Sequence, residues 1–317
     1  MKNKSGLGRG GPLMLLDRIS AGWTSRIGRR VLNPLRDIRR QLIRQSEGEA
    51  ILLQNFSRWH GRPLDTKNPQ TFCEKLYCRM IALNRAGDPL ITQATDKYTA
   101  RAYVESRVGQ QYLPKLFWHG EDPKRIPFDE LPLEYVVKAN HGCGQVIVVT
   151  GSANHLDIIR TASTWLKNNY YWACREYQYF DITPRVMIEE YLKNQDGTGP
   201  VNYKLWCFHG VPEVIHLSNY AHDINPFFDA QWNLLDLHYR EGAARPPVPK
   251  PVNFGHMLEV ASQLSKEFDF VRVDLYNLDG RIYVGELTFT PMAGNFRFRP
   301  DSWDMKLGEK WKMSGIA

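Results

Sequence analysis

The chain has 317 residues, 43 % hydrophobic and 24 % charged, an ordinary balance for a folded globular protein. No apolar run approaches the ~20 residues needed to span a bilayer, and an aromatic content of 12 % argues against disorder over most of the length. The net charge of +7 is concentrated: residues 1–46 hold 11 Lys/Arg against 2 Asp/Glu, leaving 30 against 32 in the remainder, so the body lacks the basic surface that nucleic-acid binding requires. The five cysteines, Cys73, Cys78, Cys143, Cys174 and Cys207, show no C-x-x-C spacing, so neither a zinc motif nor a disulfide framework is suggested. A reducing compartment fits, and a cytoplasmic location is expected.

In chain order, Met1 to Gly11 reads as a disordered Gly- and Lys-rich start. The run Leu13-Met14-Leu15-Leu16 is broken by Asp17 and Arg18 and is too short for a signal peptide. Asn33-Pro34 has the form of a helix cap and first residue. Leu35, Ile38 and Leu42 then share one face, with Arg36, Arg39, Arg40 and Arg44 on the others. Two readings of this basic amphipathic helix stay open: attraction to an anionic membrane or acidic partner, and, slightly favoured, packing on the body with a solvated basic face. Thr71 followed by Glu74 predicts a capping box at a helix start, and Thr95-Asp96-Lys97 reads as the opening of a second helix. Tyr135–Val137 and Val146–Val149 read as strands around a small glycine loop. A helix over 155–168, a strand over 186–192 and a turn-rich link over 194–200 follow. A hairpin of 203–208 with 214–217, a helix over 257–268, and strands 271–277 and 282–287 joined at Asp279-Gly280 complete the pattern. Helices and hairpins alternate without βαβ regularity, which predicts an α+β fold.

The strongest chemical constellation is Arg272-Val273-Asp274 followed by Gly285-Glu286-Leu287-Thr288. Alternate residues of a strand share a face, so Arg272 pairs with Asp274 and Glu286 with Thr288. The turn between them brings all four together. Two carboxylates with room for phosphate oxygens suit Mg²⁺, and a guanidinium suits developing phosphoryl charge. The apolar neighbours Leu275, Val284 and Leu287 argue that this hairpin lies in a buried sheet rather than at an exposed edge. A second constellation is Lys138 before Gly142 and Gly144: a point charge and backbone N–H groups that can approach phosphates, without the spacing of a Walker loop. The third is Glu189-Glu190-Tyr191-Leu192, a strand end able to present backbone groups to a base. No Ser/His/Asp triad is evident, and among the histidines His141 stands out for its place in the glycine loop.

Taken in order, these segments resemble the TupA-like ATP-grasp family, teichuronopeptide-biosynthesis-like proteins within the carboxylate–amine ligases. The stretches that carry the likeness are Asn68–Leu76, Thr95–Tyr98, Val136–Gly144, Ile188–Leu192, Tyr203–Phe208 and Phe270–Pro291. The resemblance implies two α+β lobes gripping ATP. It implies a basic arm over 1–60, an N-terminal lobe over 61–130, a small lobe over 131–200 and a large lobe with the metal site over 201–317. It implies ATP and Mg²⁺ as cofactors and an acyl phosphate that an amine attacks, with an amino acid joined to a sugar acid or peptide of a cell-surface polysaccharide. Lys97 and Lys138 would bind phosphates under the Gly142–Gly144 loop. Glu189, Glu190, Tyr191 and Leu192 would line the adenine pocket, and Asp196 would face the ribose. Arg272, Lys204 and Thr288 would be catalytic, and Asp274 and Glu286 would hold the metal. Thr288 stands where many ATP-grasp enzymes carry Asn, and Pro291-Met292-Ala293-Gly294 replaces their Pro-Gly, so the number of metal ions and the acceptor-side geometry stay open. A glycosyltransferase or phosphotransferase is the alternative function. Expected partners are small-molecule or glycan acids and amines and the surface of an anionic membrane, not nucleic acid. The oligomeric state does not follow from the sequence.

Overall fold

A computed structural model describes residues 47–219, 224–239 and 244–313. The basic helix expected after Asn33-Pro34 lies outside these residues. The chain from Gly48 onward forms one compact unit. It begins with α1 (Gly48–His60), α2 (Phe72–Ala86), α3 (Pro89–Thr95) and α4 (Ala100–Val108). The predicted capping box is present: the Thr71 side chain accepts from the Glu74 N–H, and the Glu74 carboxylate accepts from the Thr71 N–H. Two orphan donors of the first turn are thereby satisfied.

Next come β1 (Leu116–Gly120), β2 (Glu134–Ala139), β3 (Val146–Thr150), α5 (His155–Trp165), α6 (Tyr171–Cys174) and β4 (Val186–Glu190). The four strands form an antiparallel sheet in the order β1-β4-β2-β3. This first sheet therefore starts at residue 116 and not at 131, because the Leu116-Phe117-Trp118 run adds a strand beside β4. Along β2, Tyr135, Val137 and Ala139 are buried while Glu134, Val136 and Lys138 are half-buried. Tyr135 and Val137 pack with Val186 and Ile188 against Ile158 and Ala162 of α5. Lys138 is left on the opposite face by the period-2 alternation of a strand.

The second sheet follows, from β5 (Asn202–Phe208), β6 (Val211–Ser218), β7 (Phe227–Asp229), α7 (Phe254–Ser265), β8 (Phe270–Leu278) and β9 (Arg281–Thr288). Its order is β7-β6-β5-β8-β9, all antiparallel. Both predicted hairpins are present, and α7 packs on β5, β6 and β8. Phe227, His216, Lys204, Asp274 and Glu286 lie directly opposite one another across the five strands, so they form one transverse row on one face. At the end of that face nearest Trp206, the row gives way to an aromatic core in which Phe72 of α2 meets Trp206, Phe208, Phe270 and Trp311. Within the segment 61–130, α2 packs in the core of the second sheet and β1 is a strand of the first sheet. The last helix, α8 (Ser302–Lys310), closes this core. No helix among the described residues is long and apolar enough to cross a membrane.

The contact of α8 with α2 leaves no room for a side chain at Gly308. A Cβ there would lie 2.1 Å from the Gln70 carbonyl oxygen and 2.9 Å from the Phe72 nitrogen, both backbone atoms that a rotamer change cannot move. Gly308→Ala should therefore destabilise the fold by about 2 kcal/mol or more, read as a lower denaturant midpoint. An unchanged midpoint would mean that the two helices are not packed this closely.

Candidate functional site

The two sheets face each other across a narrow cleft with a cavity volume of about 30 Å³, lined among others by Lys97, Arg101, Lys138, Glu189 and Glu286. Val284 to Leu287 of β9 line one side of it, and β9 pairs with β8. Arg272 grips both oxygens of Asp274, Nε to Oδ1 at 2.6 Å and Nη2 to Oδ2 at 2.7 Å. The same Nη2 reaches Glu286 at 3.4 Å and the Thr288 hydroxyl at 3.1 Å, and that hydroxyl donates to Glu286 at 3.2 Å. The four residues expected on one face are therefore one hydrogen-bonded network. A bulge makes this possible: Asp274 faces Glu286 but Leu275 faces Val284, so Gly285 is the extra residue. A Cβ at Gly285 would press on the Tyr276 ring at 3.0 Å.

Charge balance fixes the protonation of this network. Burial works against the Arg272 charge, yet Asp274 and Glu286 outweigh it and raise its pKa. Burial pushes the Glu286 carboxyl up, but Lys97, Arg272 and Lys204 overcome this and hold it below the usual carboxylate range. For Asp274, fully buried, desolvation outweighs the pull of Arg272 and the pKa is raised. Lys204, directly opposite Asp274 on β5, pulls both carboxyls down.

The upper wall supplies the cations. Lys138 pairs with Glu189, whose other oxygen accepts from Arg101 at 2.8 Å. Lys97 donates to the Gly142 carbonyl at 2.8 Å and stands 3.6 Å from Glu286, so one ammonium touches both the glycine loop and the Glu286 carboxylate. Lys97 is not on a helix, as its sequence context suggested. Asp96 ends α3 in an extended conformation and its side chain accepts from the Tyr98 N–H, which leaves Lys97 in the turn before α4.

Asn140 organises this wall. Its side-chain amide donates to Asp96 at 2.8 Å and to the Thr183 carbonyl at 3.0 Å, and its side-chain oxygen accepts from the Arg185 N–H at 2.7 Å. Its own carbonyl accepts from the Lys97 N–H. His141, beside it, is buried, with Nε2 close to the carbonyls of Trp165 and Asn168. It anchors the loop to the end of α5 and does not face the cleft as an acid–base group would. Gly144 has φ +74°, with open space around it, a backbone conformation that glycine adopts without strain.

Other predicted residues are placed less centrally. Glu190 lies at the end of β4 and accepts from the Lys115 N–H, while Tyr191 and Leu192 follow as the chain leaves the sheet. Asp196 is exposed and turned into its own loop, accepting from the N–H and hydroxyl of Thr198, so it is not brought to the cleft. Asp274, Glu286, Arg272, Thr288, Lys204, Lys97, Lys138, Gly142 and Glu189 are brought together.

Two site residues carry no mark in the motif reading. Arg101, one helical turn beyond Lys97, holds Glu189. Glu176 is buried and accepts from the Thr290 hydroxyl, which also accepts from Gln178. Burial, helped by the nearby Glu286 charge, pushes the Glu176 carboxyl up to about 7 against the Thr290 hydrogen bond. The available signal was a lone carboxylate inside the aromatic run Tyr170 to Phe180.

The family model for TupA-like ATPgrasp matches residues 74–312, which contain every residue of the cleft. The chain belongs to the TupA-like ATP-grasp family. Among curated proteins, none matches in sequence. Solved structures similar to this chain include D-alanine–D-alanine ligase from Bacillus anthracis complexed with ATP, at 16 % identity and a TM-score of 0.40, covering 66 % of this chain and 60 % of that one. The D-alanine–D-alanine ligase from Helicobacter pylori matches at 14 % identity and 0.39, covering 69 % and 61 %. Phosphoribosylamine–glycine ligase from Thermotoga maritima matches at 14 % and 0.37, covering 63 % and 48 %. The matched part thus spans less than two thirds of these proteins.

The elevated Glu176 pKa has a measurable consequence. Its neutral form is favoured in the folded state, so stability is full below the unfolded value near 4.5 and is lost as pH rises towards 7. That loss should reach about 3 kcal/mol. Urea unfolding at pH 5 and pH 8 should show it in the wild type and not in Glu176→Gln. Equal pH dependence in both proteins would contradict the assignment.

Proposed function

We propose that the chain is an ATP- and Mg²⁺-dependent carboxylate–amine ligase. The observation that carries the reading is the single guanidinium of Arg272 bonded to Asp274, Glu286 and Thr288, with Glu286 lining a cleft that Lys97 and Lys138 also line. This arrangement suits a substrate with several adjacent negative charges and a reaction in which charge moves between phosphate oxygens.

The donor set fits Mg²⁺: hard carboxylate oxygens from Asp274 and Glu286, with the remaining positions left to substrate and water. An Asp274 oxygen held by Arg272 keeps a second lone pair for a metal. When bound, the ion neutralises phosphate charge and polarises the transferring group. Lys138 would exchange Glu189 for phosphate oxygens, and Lys97 would exchange the Gly142 carbonyl for the same. Backbone N–H groups of the Gly142–Gly144 loop would complete the cradle. Glu189 with the Glu190–Leu192 segment would meet the adenine, while Arg272 and Lys204 would face the transferring phosphoryl group.

In the proposed reaction a carboxylate oxygen of the acid attacks the γ-phosphorus and ADP leaves. The amine nitrogen then attacks the acyl carbon, the amide C–N bond forms, phosphate departs and the nitrogen loses a proton. Positioning and charge neutralisation supply most of the acceleration, which suits a site built from cations and carboxylates. The family resemblance supports an acid and an amine drawn from cell-surface polysaccharide assembly, at the cytoplasmic side of a membrane. Residues 1–46 would hold the enzyme at that anionic surface.

ADP release measured against panels of sugar acids, amino acids and small peptides tests the reading. Turnover should require both an acid and an amine, and Glu286→Gln should lower kcat/KM by roughly 100-fold or more. ADP release that no amine affects, with the phosphoryl group retained on its acceptor, would make the protein a phosphotransferase instead. Deleting residues 1–46 should leave turnover intact and weaken sedimentation with anionic vesicles; loss of turnover would place the arm within the catalytic unit.

A further inference from the structure

Away from the cleft, three helices bring together a set of donors that the sequence spacing did not reveal. His60 is the last residue of α1, Cys73 lies in the first turn of α2, and Asp304 lies in the first turn of α8. One ligand atom from each lies within 4.8 Å of the other two. We propose that these residues form a second metal centre, which takes a divalent transition ion of the zinc class and is independent of the Asp274/Glu286 pair.

The donor chemistry selects the ion. A thiolate and an imidazole are soft to borderline ligands, poor for Mg²⁺ and good for Zn²⁺. Tetrahedral zinc would place such donors roughly 3–4 Å apart, so atoms at the 4.8 Å limit would draw in by about 1–2 Å. Cys73 is fully buried and fixed in the core, while His60 and Asp304 stand at its rim and are only half-buried. An open cavity of about 260 Å³, lined by His60, Arg62, Thr71, Arg297, Asp301 and Asp304 among others, adjoins the cluster and gives access to an ion and a water for the fourth position.

The supporting contacts are of the kind that orient metal ligands. His60 Nε2 approaches the Gly294 carbonyl at 3.3 Å, and its ring stacks on Phe56. Asp304 Oδ1 accepts from the Cys73 N–H at 2.8 Å. This bond alone would make Asp304 a cap for α2 and Cys73 a core thiol, which is the competing account. A capping oxygen still keeps lone pairs for a metal. Of the two flanking guanidiniums, Arg62 pairs with Glu74 and Arg297 donates to the Trp59 carbonyl, so only Arg297 keeps its full positive charge beside the cluster. On binding, the Cys73 thiol releases its proton to solvent, and thiolate and carboxylate together match the 2+ charge. The ion would staple α1, α2 and α8 beside the Pro291–Gly294 strap.

Cobalt titration of the full-length protein tests this, because a cobalt–thiolate bond gives a charge-transfer absorption that cobalt on carboxylates cannot give. The band should appear and saturate at one ion per chain. It should persist in Cys143→Ser, which removes the thiol nearest Glu286, and vanish in Cys73→Ser. His60→Ala, at the rim rather than in the core, should also abolish it and guards against a folding failure of the Cys73 variant. No charge-transfer band in the wild type, or one that survives His60→Ala, would overturn the proposal.

Discussion

Everything in the cleft depends on placing two carboxylates directly opposite each other on neighbouring strands. Asp274 and Glu286 are cross-strand partners, the arrangement in which like charges repel most directly. Arg272 resolves this by bonding to both, and Lys204 and Lys97 add positive charge from β5 and from the opposite wall. The buried Asp274–Arg272 pair is a poor source of stability by itself, since desolvation offsets most of the Coulombic gain. Its value is in orientation: Glu286 is aimed into the cleft and kept ionised while its neighbour is shielded.

The upper wall repeats the logic with the signs exchanged. Lys97, Lys138 and Arg101 converge on a small volume, and Glu189 together with the Gly142 carbonyl satisfies them. Each phosphate-type lysine thus has a local partner that a polyanion can displace. Asn140 sets the spacing, because one side chain ties the turn carrying Lys97 to the start of β4. These hydrogen bonds and ion pairs hold the side chains of this wall in place.

Much of this was legible in the residues. The capping box at Thr71, the hairpin turn at Asp279-Gly280 and the period-2 spacing of Arg272, Asp274, Glu286 and Thr288 are local signals, and each appears as expected. What was not legible depends on contacts between distant segments. The first strand at Leu116 is too short to stand out without its partner β4. Asp96 is compatible with a helix interior by composition but ends one because it bonds to Tyr98 and Asn140. His141 looks reactive in a glycine loop, and only the carbonyls at the end of α5, some 25 residues later, make it an anchor. Glu176 and the His60–Cys73–Asp304 cluster likewise exist only in three dimensions. The role of Asp196 read from the motif order does not match its placement in an exposed turn.

The central claim is that Lys138 and the carboxylate pair form one site for a magnesium-bound nucleotide. Calorimetry with a non-hydrolysable ATP analogue, in the presence and absence of Mg²⁺, on the wild type and Lys138→Ala tests it most directly. The account predicts one site per chain, binding that depends on Mg²⁺, and an affinity lowered at least tenfold, about 1.4 kcal/mol, in the variant. Binding that is indifferent to both Mg²⁺ and Lys138, or a nucleotide sugar bound in preference to the ATP analogue, would contradict it.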